Sequence, residues 1–132
     1  MKFDTKVLHA AIKPEPLTGS ILPPLHQTAT YVLEEVGKDK GFDYTRSANP
    51  TRQMMEEHLA ILDGGKYGIA FSSGMSAVDS CLKLLKSGDH IICSDDVYGG
   101  VSRLFNQVLV NYQLEFTYVG ETMRVRMFAI FQ

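Results

Sequence analysis

Three short stretches of the 132-residue sequence hold side chains whose types and spacing could do chemistry. In Tyr44-Thr45-Arg46-Ser47-Ala48-Asn49-Pro50-Thr51-Arg52, a phenol and a guanidinium stand two residues apart. On an extended segment such residues share a face, and a bidentate Arg with a Tyr hydroxyl can grip a phosphate. The same stretch also reads as a solvated loop ending in a helix cap. In Phe71-Ser72-Ser73-Gly74-Met75 a predicted strand gives way to a predicted helix. A helix N-terminus exposes unpaired N–H groups and partial positive charge, and small residues let a phosphate approach the backbone. Ser73, Gly74 and Met75 would supply those donors, although Ser-Gly before a helix is also ordinary capping. Tyr98 follows Asp95-Asp96-Val97 and precedes Gly99-Gly100, just past another predicted strand. Ligands of open parallel sheets gather at the C-terminal ends of the strands, where an aromatic ring can stack on a planar cofactor. A partly exposed Tyr in a Gly-rich turn is the alternative.

The elements that must position these residues follow from periodicity. From Met1 to about Gly41 no period of 3.6 or 2 is sustained, and Pro14, Pro16, Pro23 and Pro24 disfavour helix, which predicts an extended arm. Within it, Tyr31 to Val36 could form a helical turn, and residues 37–41 a polar surface loop. Asn49-Pro50 then supplies a cap and a first-turn proline. Met55, Leu59 and Leu62 recur at helical spacing until Gly64-Gly65, predicting a helix over 50–63. Tyr67 to Phe71 suits a buried strand, and Ala77, Cys81, Leu84 and Leu85 make a helical stripe from Gly74 to about Lys86. His90 to Cys93 reads as a strand. Val101, Leu104, Phe105, Val108 and Leu109 read as a third helix, and Leu114 to Val119 as a further strand. Strands separated by helices of this length predict an α/β chain with right-handed crossovers and a parallel sheet covered by helices.

Composition narrows the partners. With 45% hydrophobic residues the chain can bury one compact core. Thirteen basic against 15 acidic residues give no field of one sign, so neither nucleic acid nor an anionic membrane is expected as a partner. Apolar stretches such as Met127 to Phe131 are too short to cross a bilayer, and Met1-Lys2-Phe3-Asp4 lacks the apolar run of a signal peptide, so a cytoplasmic location is expected. Cys81 and Cys93 have no C-x-x-C spacing and no His-rich neighbourhood, so no metal site is expected, and both read as small buried hydrophobes.

Taken in order, the motifs carry more than each does alone. Tyr44-x-Arg46-x-x-Asn49-Pro50-Thr51-Arg52, Phe71-Ser72-Ser73-Gly74-Met75, Gly88-Asp89-His90 and Asp96-x-Tyr98-Gly99-Gly100-x-x-Arg103-Leu104-Phe105 resemble the ordered motif series of the Cys/Met-metabolism pyridoxal-phosphate family. Thr5-Lys6-Val7-Leu8-His9 and Gln27-Thr28-Ala29-Thr30-Tyr31 are similar to its N-terminal arm, so the resemblance covers about residues 4 to 119. It implies the large domain of a fold-type-I pyridoxal-phosphate transferase, aspartate aminotransferase-like, with an extended N-terminal arm over 1–49 and the start of the cofactor-binding α/β domain over 50–119. It implies pyridoxal 5'-phosphate as cofactor, its phosphate held by Ser73, Gly74 and Met75. Tyr98 would stack on the pyridine ring and could act on substrate protons. Tyr44 and Arg46 would reach the phosphate of a neighbouring subunit, Arg103 would lie near the substrate, and the assembly would be a homotetramer built as a dimer of dimers. Such enzymes make or break carbon–sulfur bonds in cystathionine, homocysteine or activated homoserine.

The sequence also departs from that family. Its eight lysines, at positions 2, 6, 13, 38, 40, 66, 83 and 86, include none in the Ser-x-Thr-Lys setting that carries the family's Schiff-base lysine. The aspartate expected to pair with the pyridine nitrogen is also absent. Residues 120–132 look unlike the acidic continuation expected there, which suggests a truncation or frameshift. The sequence therefore leaves open three readings. The chain is part of a trans-sulfuration lyase or transferase, or a catalytically inactive module that pairs with a full-length homologue, or an unstable pseudogene product with exposed sheet edges.

Overall fold

The structure, a computed structural model, describes residues 2–120, so the 120–132 tail lies almost wholly outside the described residues. The chain forms two compact units, one ending at Ala70 and the other beginning at Phe71. The first holds helices α1 (Phe3–His9) and α2 (Pro50–Asp63). The second holds α3 (Gly74–Leu82), β1 (His90–Ser94), α4 (Gly99–Arg103) and β2 (Glu115–Val119). Among the described residues no helix is long and apolar enough to cross a membrane.

In the first unit α2 has the predicted bounds. The side chain of Asn49 accepts from the Thr51 amide, Pro50 takes the first helical position, and Gly64, left-handed at φ 71°, closes the last turn. The arm departs from its expected extended form at Phe3–His9, where no proline interrupts. There Asp4 in the first turn and Lys6 and His9 in the last complement the helix dipole. Tyr31 to Val36 is not a helical turn. Glu35 and Lys38 instead form an antiparallel bridge, and the Lys38 ammonium pairs with Glu34 at 3.3 Å and Glu35 at 3.6 Å. The expected strand over 67–71 is absent, since no partner among the described residues completes a ladder. The Ala70 amide donates to the Glu56 carboxylate at 2.8 Å, and Tyr67 is 78% exposed.

In the second unit β1 and β2 pair in parallel, in register from His90 opposite Glu115 to Ser94 opposite Val119. That is the parallel pairing the strand–helix–strand pattern requires. The helix between them is less regular than the apolar stripe suggests. After α4 it widens into a π-helical turn over Leu104–Val108 and tightens to 3-10 geometry over Leu109–Tyr112. A π-turn advances the following side chains around the axis. Phe105 consequently remains buried, stacked on Phe116 at 4.5 Å, while Val108 faces outward. α3 ends at Leu82, short of the expected Lys86, as Lys83 caps the helix and pairs with Asp79 at 2.6 Å.

Cys93 is 2% exposed beneath the sheet, as expected, whereas Cys81 lies on the outer face of α3 and is exposed. Burial pushes the Cys93 thiol above its ordinary pKa, which removes the nucleophilic thiolate at neutral pH. Under native conditions iodoacetamide should modify Cys81 and spare Cys93, with the second site reacting only after denaturant is added. Peptide mass mapping checks this.

Candidate functional site

The first unit builds a cationic cradle. The antiparallel bridge between Thr30 and Tyr44 lays the arm against the 44–48 loop, with the Tyr31 amide donating to Asp43 at 3.0 Å and the Thr45 amide to Ala29 at 2.9 Å. Asn49, 7% exposed, ties both to α2. Its amide nitrogen donates to the His26 carbonyl and to the Thr45 hydroxyl, each at 3.1 Å, while its oxygen caps the helix at Thr51. The His26 amide returns a bond to the Thr51 hydroxyl at 2.9 Å. Between arm and loop lies an open cavity of about 670 Å³ bordered by His26, Thr28, Tyr44, Arg46 and Arg52.

The two arginines of this cavity are not equivalent. Arg52 is held by carbonyls, donating to Ser47 at 2.8 Å and to Arg46 at 3.4 Å from both terminal nitrogens. Its Nε lies 3.8 Å from the Glu56 carboxylate. Arg46 is exposed, with its guanidinium carbon 5.2 Å from the Tyr44 ring centre and one nitrogen 3.4 Å from the Tyr44 hydroxyl. The structure thus brings Tyr44 and Arg46 to one face, with most of the Arg46 donors left for an oxyanion.

The second unit builds the head of α3. Ser73 and Ser76 form a reciprocal capping box. The Ser73 hydroxyl accepts from the Ser76 amide at 3.1 Å, and the Ser73 amide donates to the Ser76 hydroxyl at 3.2 Å. The box leaves the amides of Gly74 and Met75 without a hydrogen-bond partner among the described residues. Space above Gly74 is open, since a Cβ there would meet nothing within 4 Å. Tyr98, 73% exposed, stands at the N-terminus of α4. Its ring covers Gly100, where a Cβ would meet Tyr98 Cε1 at 2.5 Å and the Met75 sulfur at 3.2 Å. The glycine thus lets Tyr98 and Met75 converge. Arg103 ends α4, exposed and without an ion pair among the described residues.

Three contributors carried no role of their own in the sequence reading. Ser76 stands three residues after Ser73, the spacing of a capping box. Arg52 and Glu56 stand four apart on α2, the spacing of a helical ion pair. Both signals were visible in the sequence, and both are common enough on ordinary helices to pass unremarked.

Comparison with known proteins gives this geometry its family. The model of the Cys/Met metabolism PLP-dependent enzymes matches residues 4–131, which extends past residue 119 into the tail, and the chain belongs to that family. Over 117 residues it is 42% identical to the probable cystathionine gamma-synthase of Herpetosiphon aurantiacus, covering 89% of this chain and 37% of that protein. Over 106 residues it is 48% identical to the cystathionine beta-lyase of Coxiella burnetii, covering 80% of this chain and 27% of that protein. The crystal structure of metB from Corynebacterium glutamicum superposes with a TM-score of 0.84 at 39% identity, covering 93% of this chain and 32% of the other. The chain thus spans about a third of the length of these relatives. Its fold is the α/β fold of the fold-type-I pyridoxal-phosphate enzymes, with a parallel sheet.

The close packing at Gly100 generates a test. Gly100→Ala should push the Tyr98 ring and the Met75 sulfur away from residue 100 and cost about 1–2 kcal/mol of stability by overpacking. Urea unfolding measures the cost, and displaced Tyr98 ring and Met75 methyl resonances report the movement.

Proposed function

We propose that this chain supplies the N-terminal half of the cofactor site of a pyridoxal-phosphate lyase or transferase that makes or breaks carbon–sulfur bonds in sulfur-containing or activated amino acids. The observation that carries this reading is the pair of amides at Gly74 and Met75, without a partner among the described residues, at the head of a capped helix. The residues fit the cofactor. A phosphate dianion at the head of α3 would accept from both amides and lie in the positive end of the helix dipole. The Ser73 hydroxyl, engaged with Ser76, acts by orienting that turn. The Tyr98 ring offers an exposed face for stacking on a planar pyridine, and its hydroxyl could move a proton at the substrate.

Tyr44 and Arg46 add a second phosphate contact, assigned to the cofactor of a neighbouring subunit in a homo-oligomer, and Arg103 would serve the substrate carboxylate. When bound, pyridoxal phosphate supplies an electron sink for the carbanion left by α-proton loss. The relatives are named for both synthesis and cleavage of cystathionine, so the reaction class rather than one reaction is proposed. A reducing cytoplasm accords with two unpaired cysteines.

A second reading, an assembly module that pairs with a longer relative, draws support from apolar side chains without cover among the described residues. Met55 and Leu59, which recur at helical spacing along α2, are exposed, as are Tyr67 and Ile69. Co-elution with a co-expressed full-length relative on a sizing column supports this reading, and separate elution counts against it.

Gly74→Pro tests the first reading. Proline is tolerated at the first helical position and Ser73 already has the extended backbone that proline demands, so α3 survives while one amide donor disappears. Affinity for pyridoxal phosphate should fall roughly tenfold, the worth of one charge-assisted hydrogen bond. Unchanged affinity would remove the phosphate from this turn. Because the sequence holds no Ser-x-Thr-Lys lysine, borohydride treatment of the 132-residue chain with bound cofactor should leave none fixed at one stoichiometric site. A single labelled lysine peptide would contradict that.

A further inference from the structure

Of the two arginines in the first unit's cavity, Arg52 has most of its hydrogen-bonding capacity turned toward protein. One edge of its guanidinium faces the carbonyls of Ser47 at 2.8 Å and Arg46 at 3.4 Å, and the Nε faces Glu56 at 3.8 Å. Glu56 is itself anchored, since the same carboxylate oxygen accepts from the Ala70 amide at 2.8 Å. Arg52 borders the cavity and Glu56 lies behind it on α2, with side chains 35% and 21% exposed. Arg46, whose own carbonyl is gripped in this way, has among the described residues only the weak 3.4 Å side-chain hydrogen bond to Tyr44 and a place over its ring.

We propose that Arg52, braced by Glu56, is a positioning residue for the anion clamp, fixing the 46–47 backbone so that the Arg46 guanidinium projects beside the Tyr44 hydroxyl. A planar fork is required for this role. Lysine retains the charge but, as a single point donor on a flexible stem, cannot span two carbonyls and a carboxylate together. Without the brace, the 44–48 loop keeps its bonds to the arm, and the direction of the Arg46 side chain loses its constraint. The clamp then spends binding energy on ordering that side chain. This assignment rests on the reading of Tyr44 and Arg46 as phosphate ligands.

A double-mutant cycle separates positioning from direct contact. The 132-residue chain and its Arg46→Gln, Arg52→Lys and doubly substituted forms are titrated with inorganic phosphate, followed by amide shifts of residues 44–47. Arg52→Lys should weaken phosphate binding roughly tenfold when Arg46 is present and by less than about twofold when residue 46 is glutamine. The same factor in both backgrounds, or no weakening in either, overturns the positioning role while leaving the clamp intact. If Arg46→Gln changes nothing, or the parent chain shows no phosphate response, the clamp itself is overturned and the brace with it. Glu56→Gln provides a second entry to the cycle should Arg52→Lys fail to fold. It retains an oxygen acceptor for Ala70 and removes the charge facing Arg52, and its expected two- to threefold loss should likewise vanish with Arg46→Gln.

Discussion

A single buried amide side chain holds the first unit together. Asn49 uses its oxygen to cap α2 and its nitrogen to hold the His26 carbonyl and the Thr45 hydroxyl, so the helix, the arm and the loop carrying Tyr44 and Arg46 meet at one residue. The apolar alternative is weak here. The buried hydrophobic residues of this unit are alanines, Ala10 and Ala60, whose burial contributes little transfer energy. A polar network in such a place stabilises only if each member is satisfied. Asn49 uses both N–H donors and one of its two oxygen lone pairs. The second unit rests on more ordinary burial, with Cys93, Phe105 and Leu114 enclosed around a parallel strand pair.

Under the proposed function each unit holds its own anion-binding device, and the two are built by different routes. At the head of α3, reciprocal bonds engage the Ser73 and Ser76 amides, while those of Gly74 and Met75 have no partner among the described residues. At the arm and loop, Arg52 is committed to carbonyls and a carboxylate while Arg46 is left for a ligand. In both devices the residues that position are engaged with protein, and those expected to bind keep donors in reserve. The donors are thus set before a ligand arrives, which lowers the ordering cost of binding.

How much of this could be read from the sequence depended on whether the cause was local. The α2 bounds were legible because Asn49, Pro50 and Gly64 act through nearest neighbours. The parallel pairing of β1 with β2 was legible from the spacing of strands and helix. The segment 67–71 was misread because a strand exists only with a partner, and its apolar residues could not show that Ala70 would bond to Glu56 instead. The helix at Phe3–His9 was missed because the prolines beginning at Pro14 were allowed to speak for the whole arm. Tyr44, Arg46, Gly74 and Met75 stand out by residue type and spacing, and the proposed function rests on where the structure places them. The roles of Arg52 and Glu56 required knowledge of which carbonyls lay within reach, a tertiary fact.

The claim that Asn49 cross-links the clamp, beyond capping its helix, is separable by chemistry. Aspartate at this position retains an excellent cap but loses the nitrogen that holds His26 and Thr45. Amide hydrogen exchange on Asn49→Asp should show α2 protected as before, while the Tyr31 and Thr45 amides, which join arm to loop, exchange at least about tenfold faster, as expected when a buried bond of order 1 kcal/mol or more is lost. Unchanged protection at Tyr31 and Thr45, with α2 intact, would contradict the account.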